Sequence, residues 1–301
     1  MCHKYSPLIR AYNDPVIRHL LSFPLLQRLK RVSLSNVPPT IVPWLPWATR
    51  YEHSIETSGL VFFVKDELNL EDEFYLVSIS ALLHDSAIPP FGHIADELLQ
   101  IYFGGEHESV LNKFVVSFNE EEVYGLEKFL EENGTTLQEV SLVVSGRHRL
   151  SPIINGLIDL DNIDNMHLGL QTMVPPRKPY YHLVEIVKNI RGFSDKTLLF
   201  KDKEFIQKWL LTRKLYYSLL ENDPSNIFVG SFIRKELENM HFEGKLTKEF
   251  FLLDNINAIQ SIWGSLSSKL NVKWKLLISC LLYTSDAADD GESVDLGGRR
   301  I

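Results

Sequence analysis

Ile79-Ser80-Ala81-Leu82-Leu83-His84-Asp85-Ser86-Ala87-Ile88-Pro89-Pro90-Phe91-Gly92-His93 is the stretch on which the reading of this chain turns. The spacing predicts a helix over about 71–84 that ends on a His-Asp pair. Pro89-Pro90 break the chain there, and a helix resumes near His93. Adjacent side chains on a helix stand about 100° apart. His84 and Asp85 can therefore reach one ion if it lies beyond the C-terminal end of their helix, which is where the prolines put that end. Imidazole nitrogen and carboxylate oxygen suit a borderline or hard divalent ion such as Zn, Fe, Mn or Mg. A lone His-Asp pair is more often structural than ligating, so its neighbours have to carry the argument.

Outward from this stretch the chain reads as almost entirely helical. Upstream, Asp14-Pro15 offers an N-cap and a first-turn proline, and Val16, Ile17, Leu20 and Leu21 follow at helical spacing. Pro24 restarts the helix through Leu25, Leu26, Leu29 and Val32, and residues 35–48 form a loop rich in Pro and Trp. A helix over about 51–64 opens on Arg50-Tyr51-Glu52-His53. Downstream, helices are expected near His107 and over 120–132 and 136–145, with an apolar stretch over 151–168 that contains Asp159-Leu160-Asp161. The run Met173-Val-Pro-Pro-Arg-Lys-Pro179 marks a boundary. Beyond it, helices are expected over 180–192, 203–221, 225–240 and 247–270, with a short hairpin near 192–203. The expectation is an all-α protein with a core over 1–172 and a smaller helical region over 173–279. His53, the 84–85 pair and Asp161 lie on three helices, and together they supply two imidazoles and two carboxylates for one centre.

The 301 residues are 45% hydrophobic and 23% charged, which excludes a disordered chain. A formal net charge of −8 argues against a nucleic-acid binder held by bulk charge. Two cysteines exclude a disulfide scaffold. No window of 18 apolar residues and no secretory h-region follow Met1-Cys2-His3, so no membrane partner and a cytoplasmic protein are expected. No GxGxxG, GxxxxGK[ST], CxxC or longer repeat is present. Residues 280–301 differ in character, and they resemble the in-frame translation of a transposase-type sequencing adapter. They are expected to be non-native and to contribute nothing to the fold, and the natural chain is expected to continue differently after residue 279. The tail includes Cys280 and carries a net −3, which leaves −5 on the remainder.

Thr49-Arg50-Tyr51-Glu52-His53-Ser54, Ile79 through Asp85 with Pro90-Phe91-Gly92-His93, and Asn155 through Asp164 stand in the order of a known signature. Together with Asp14-Pro15-Val16 and Arg28 through Val32, the chain resembles the HD-domain metal-dependent phosphohydrolases over roughly residues 10–170. Within them it is most similar to the deoxynucleoside-triphosphate triphosphohydrolase-like branch. The resemblance implies one divalent ion (Mn, Fe, Zn, Ni or Mg) held by His53, His84, Asp85 and Asp161. It implies that Arg50 contacts a substrate phosphate as a bidentate donor and that His93 sits beside the scissile phosphate. It further implies that Asp96 pairs with His107 to orient or activate water, with His107 as general acid or base. The substrate would be a phosphorylated small molecule such as a nucleotide, and members often assemble as homo-oligomers.

This chain departs from the family at several positions. Ala87-Ile88 stand where the family has a Gly-His step, Leu34 where it has a sugar-contacting Gln, and Asn162 and Asn165 where it has Lys and Tyr. The following Arg-Asp element is shortened or absent. The ligand positions survive while several nucleotide-reading positions do not, so a smaller phosphoester fits as well as a triphosphate. Two other readings stand beside phosphohydrolysis. One is a degenerate HD domain that binds a nucleotide or protein without turnover. The other is a phosphodiesterase acting on a cyclic or linear dinucleotide. Of the remaining signals, Glu52 and Glu56 are expected to face solvent or to buttress His53. Trp44 and Trp47 are expected to pack over the core, and Arg147-His148-Arg149 to form a solvated loop. Lys201, Lys203 and Arg213 lie where the family has further phosphate contacts.

Overall fold

Proline and aspartate set the opening of the chain in the computed structural model, which describes residues 6–104 and 120–262. Pro7 begins α1 (Pro7–Asn13), a helix ahead of the first one expected. Asp14 then caps α2 (Pro15–Leu20): its Oδ1 accepts from the N–H groups of Val16 and Ile17 at 2.9 and 3.1 Å. These are donors that the first turn leaves without helical partners. Pro24 opens α3 (Pro24–Arg28), which tightens into a 3₁₀ turn over Leu29–Arg31.

α4 (Arg50–Val64) is the central helix. A capping box starts it: the Thr49 hydroxyl accepts from the Glu52 N–H at 3.3 Å, and the Glu52 carboxylate accepts from the Thr49 N–H at 2.8 Å. Leu60, Val61 and Val64 are fully buried, each worth about 1.5–3 kcal/mol of transfer free energy. α1 and α5 (Phe74–Leu83) pack against α4. The approach of α1 depends on Gly59, where a Cβ would stand 2.1 Å from the Pro7 carbonyl oxygen. α5 starts three residues later than expected from its pattern, and it is buried from Val77 to Leu83.

α6 (His93–Phe103) follows the double proline, and α7 (Glu120–Glu132) matches its expected span. α8 (Leu137–Val144) has its own capping box at Thr136 and packs on α5. The apolar stretch at 151–168 divides into a 3₁₀ turn, Ser151–Ile153, and α9 (Leu160–Thr172), because Asp159 caps a new helix. α9 packs against α4 and against α11 (Lys203–Glu221). Between them lie α10 (Leu183–Lys188) and an antiparallel hairpin of β1 (Ile190–Phe193) and β2 (Leu198–Phe200). The hairpin begins two residues before the span expected for it. It shortens α10, which was expected to run to 192. α12 (Pro224–Phe242) packs on α6, and the expected helix at 247–270 opens instead with a 3₁₀ turn, Lys248–Leu252. Among the described residues the protein is all-α with one small hairpin. Of these residues, those up to Ala258 form one compact unit. His107 and residues 280–301 lie outside the described residues.

Candidate metal centre and cleft

Three helix ends meet where the candidate ligands stand. His53 lies in the first turns of α4, His84 is the C-cap of α5 with Asp85 next to it, and Asp161 lies in the first turn of α9. The tautomer of each imidazole is set from behind. The His84 Nδ1–H donates to the Ala81 carbonyl at 2.7 Å, a contact within its own last turn. The His53 Nδ1–H donates to Asp164 Oδ2 at 2.7 Å, and both side chains are fully buried. Each ring therefore turns its Nε2 inward, where that of His53 meets Asp161 Oδ1. The His84 Nε2 is buried and has no hydrogen-bond partner, which is costly unless something else occupies that lone pair.

The two Nε2 atoms and two carboxylates enclose a small space. His53 Nε2 is 2.8 Å from Asp161 Oδ1 and 3.9 Å from Asp85 Oδ2. His84 Nε2 is 3.4 Å from Asp85 Oδ2 and 3.6 Å from Asp161 Oδ1. Ligands about 2.0–2.2 Å from one ion stand roughly 3.0–3.5 Å apart, so this spacing fits an ion with little movement. His53, His84 and Asp161 form a group that can hold a metal ion. The carboxylate behind His53 is the partner that a ligating histidine ordinarily has.

Burial alone would lower the pKa of His53, but hydrogen bonds to Asp161 and Asp164 outweigh it and raise the value to about 9. Burial also disfavours charge on His84, yet Asp85 and then Asp161 hold its pKa well above the usual histidine value. Asp85 is buried too, and Arg50 followed by His84 keeps its carboxyl well below the usual range. Asp161 is likewise lowered: His84 and His53 overcome its burial.

Arg50 lies beside this group. Its Nη1 donates to Asp85 Oδ2 at 2.7 Å, and both side chains are buried. His93 lines the same cleft, positioned by an unusual turn. Phe91 and Gly92 both have positive φ (66° and 53°), and Asn36 Oδ1 accepts from the His93 N–H at 3.1 Å. Phe91 has the costlier conformation of the two, since a left-handed non-glycine residue is strained by about 1–2 kcal/mol, and its complete burial holds it there. Asp96 sits one turn further on in α6. The remaining cleft wall includes Asn155, Asn162, Asn165 and Tyr217.

The chain shares its fold with a solved phosphohydrolase. That protein, from Bacteroides thetaiotaomicron, aligns with a TM-score of 0.59 and 19% identity over 81% of this chain and 64% of its own. A hypothetical protein from Aquifex aeolicus aligns with a TM-score of 0.65 and 18% identity over 83% of this chain and 68% of its own. An uncharacterized protein of Methanocaldococcus jannaschii is 22% identical over 222 residues, 69% of this chain. The chain spans 43% of that curated relative's length. No family model matches. Among the described residues, no helix is long and apolar enough to cross a membrane.

The surroundings revise several expectations. The buttress of His53 is Asp164, with Glu52 exposed and used in the capping box and Glu56 half-buried near Asp164, where burial first and Asp164 second raise its pKa to about 9. The available signal was spacing: Asp164 lies three residues after Asp161, on the same helical face. Ala87 and Ile88 are core residues, and Arg28 clamps their loop by donating to the carbonyls of Ser86 (3.0 Å) and Ile88 (2.6 Å). Leu34 packs with Ala48 and Leu168. Trp44 packs on the body and donates from Nε1 to Asp223 at 2.8 Å, while Trp47 is half exposed. Arg149 pairs with Glu73. Of the three outlying cations, Arg213 comes near the cleft, where it donates to Asn162 Oδ1 at 3.3 Å and lies over the Tyr217 ring. Lys201 instead donates to the Lys188 carbonyl at 3.0 Å.

Proposed function

We propose that the protein is a divalent-metal-dependent phosphohydrolase of the HD type, hydrolysing a phosphoester or phosphoanhydride of a nucleotide or another phosphorylated small molecule. The observation that carries this reading is the buried, unpartnered Nε2 of His84, which faces Asp85 and Asp161 in a polar cleft and stands with His53 and Asp161 in a group that can hold an ion. A solved phosphohydrolase of the same fold supports the choice of reaction. His53, His84, Asp85 and Asp161 would hold one ion (Mn, Fe, Zn, Ni or Mg). When bound, such an ion supplies Lewis acidity toward a phosphoryl oxygen and makes water a better nucleophile near neutral pH.

The chain's own groups do the rest. Arg50 is held through Nη1 by Asp85, which leaves its other N–H donors for a phosphate oxygen as charge builds there. His93, lining the cleft, would sit beside the scissile phosphate. Asp96 would orient His107, and a ring nitrogen of His107 would take the proton from water or return it to the leaving oxygen.

The test is elemental analysis of the purified chain beside Asp85→Ala and His84→Ala variants, together with phosphate release from a panel of phosphoesters. A single equivalent of metal in the parent, lost in both variants along with phosphate release, is the expected result. A folded parent that stays metal-free after reconstitution would sink the reading and leave a binding module in its place.

A further inference from the structure

The wall of the cleft carries few positive charges. Its charged lining among the described residues consists of Arg50, His84, Asp85, His93, Asp159 and Asp161. The one guanidinium is already ion-paired with Asp85 at 2.7 Å. Asp159 is 1% exposed and spends its carboxylate on the N-terminus of α9, accepting from the N–H groups of Gly156 and Asn162, both at 2.7 Å. With a dipositive ion in place, these groups come close to neutrality. The rest of the wall is amide, phenol and hydrocarbon: Asn155, Asn162, Asn165, Tyr217, Val144 and Ile154.

A phosphate monoester brings a charge of about −1.5 to −2 at neutral pH, and a triphosphate brings roughly twice that. Sites that cleave polyphosphates meet that charge with several cations arrayed along the chain. This cleft offers an ion, one shared guanidinium and neutral donors, with Arg213 behind the wall and engaged by Asn162 Oδ1 and the Tyr217 ring. Its volume is about 210 Å³, below the roughly 300 Å³ at which pockets for drug-sized ligands begin. That is room for one phosphate and the first atoms of its carrier.

We propose that the substrate is a phosphate monoester of a hydroxylated carrier, taken in preference to a nucleoside triphosphate. The proposal rests on the phosphohydrolase reading above. The water oxygen bonds to phosphorus as the ester P–O bond breaks. The carrier oxygen leaves with a proton, and the products are the free alcohol and inorganic phosphate. Asn165 and Tyr217 form the carrier side of the cleft. The Asn165 carbonyl accepts from Tyr216 Oη at 3.5 Å, which leaves its NH₂ for a carrier hydroxyl.

The test uses the full chain loaded with Mn²⁺. Adenosine 5′-monophosphate and triphosphate share one carrier and differ only in phosphate number, and ribose 5-phosphate tests the smaller carrier. Expected are inorganic phosphate from the monoesters, with kcat/KM at least tenfold above that for the triphosphate, and tighter calorimetric binding of the monophosphate than of a non-hydrolysable triphosphate analogue. Asn165→Lys adds a cation to the wall and should shift the ratio toward the triphosphate by roughly tenfold. Preferred triphosphate cleavage would overturn the monoester proposal and leave phosphohydrolysis standing, as would a ratio unmoved by Asn165→Lys. A metal-loaded chain that turns over none of these would overturn both.

Discussion

Asp164 accepts from the Nδ1 of His53 at 2.7 Å and fixes which nitrogen faces the centre. Asp164→Asn removes the negative charge behind that imidazole while keeping its size. Metal affinity should fall about 10–100-fold with the far-ultraviolet circular dichroism unchanged. An unaltered metal titration would show that the carboxylate only fills space. The same residues predict a pH dependence. The pKa of His53 in the metal-free fold is raised from 6.5 to about 9. Its contribution to stability is therefore fully present below pH 6.5 and is lost as pH rises toward 9. Metal-free protein should show a falling urea midpoint across that window. Metal binding should strengthen over the same range and release protons, as a pH indicator in weakly buffered solution would read.

At the scale of the element, the ligands stay together because helix ends are fixed by caps. α4 carries both Arg50 and His53 and starts at the Thr49–Glu52 capping box. Thr49→Ala should cost about 1 kcal/mol in denaturant unfolding and should weaken metal binding as well, because fraying would begin at Arg50. Gly169 tests the packing of α9 on α11: a Cβ there would stand 2.5 Å from the Tyr216 ring. Gly169→Ala should destabilise by about 1–3 kcal/mol, visible as a lower urea midpoint. The first cap was legible in the sequence, since Asp14-Pro15 announces a helix start by residue type, whereas the cap at Asp159 inside the apolar stretch 151–168 was not. The hairpin's early start and the shortened α10 were not legible either, because strand pairing over so few residues depends on the partner strand.

At the scale of the whole molecule, one ion would tie together α4, α5 and α9, helices from distant parts of the chain. Metal at about 100 times its Kd should add about 2.7 kcal/mol to stability. For a chain of this size that raises Tm by roughly 4–5 °C. Scanning calorimetry with and without a chelator checks this, and a Tm unmoved by chelator would mean that the centre carries no ion. Asp85→Ala should abolish the shift.

From the residue pattern alone it follows that the protein is helical, that His84-Asp85 end a helix at the double proline, that His53 opens a second and that Asp161 lies on a third. Those conclusions follow from periodicity, caps and breakers, which act over a few residues. Only the tertiary structure decided which carboxylate supports His53. Glu52 and Glu56 are near it in sequence, but Asp164, 111 residues away, has the geometry. Only the tertiary structure decided that Ala87, Ile88 and Leu34 belong to the core and that the cleft wall is amide and phenol, with little cationic charge. The physical reason is range: a cap or a proline acts within one turn, whereas burial and cleft charge are sums over residues that meet only after folding.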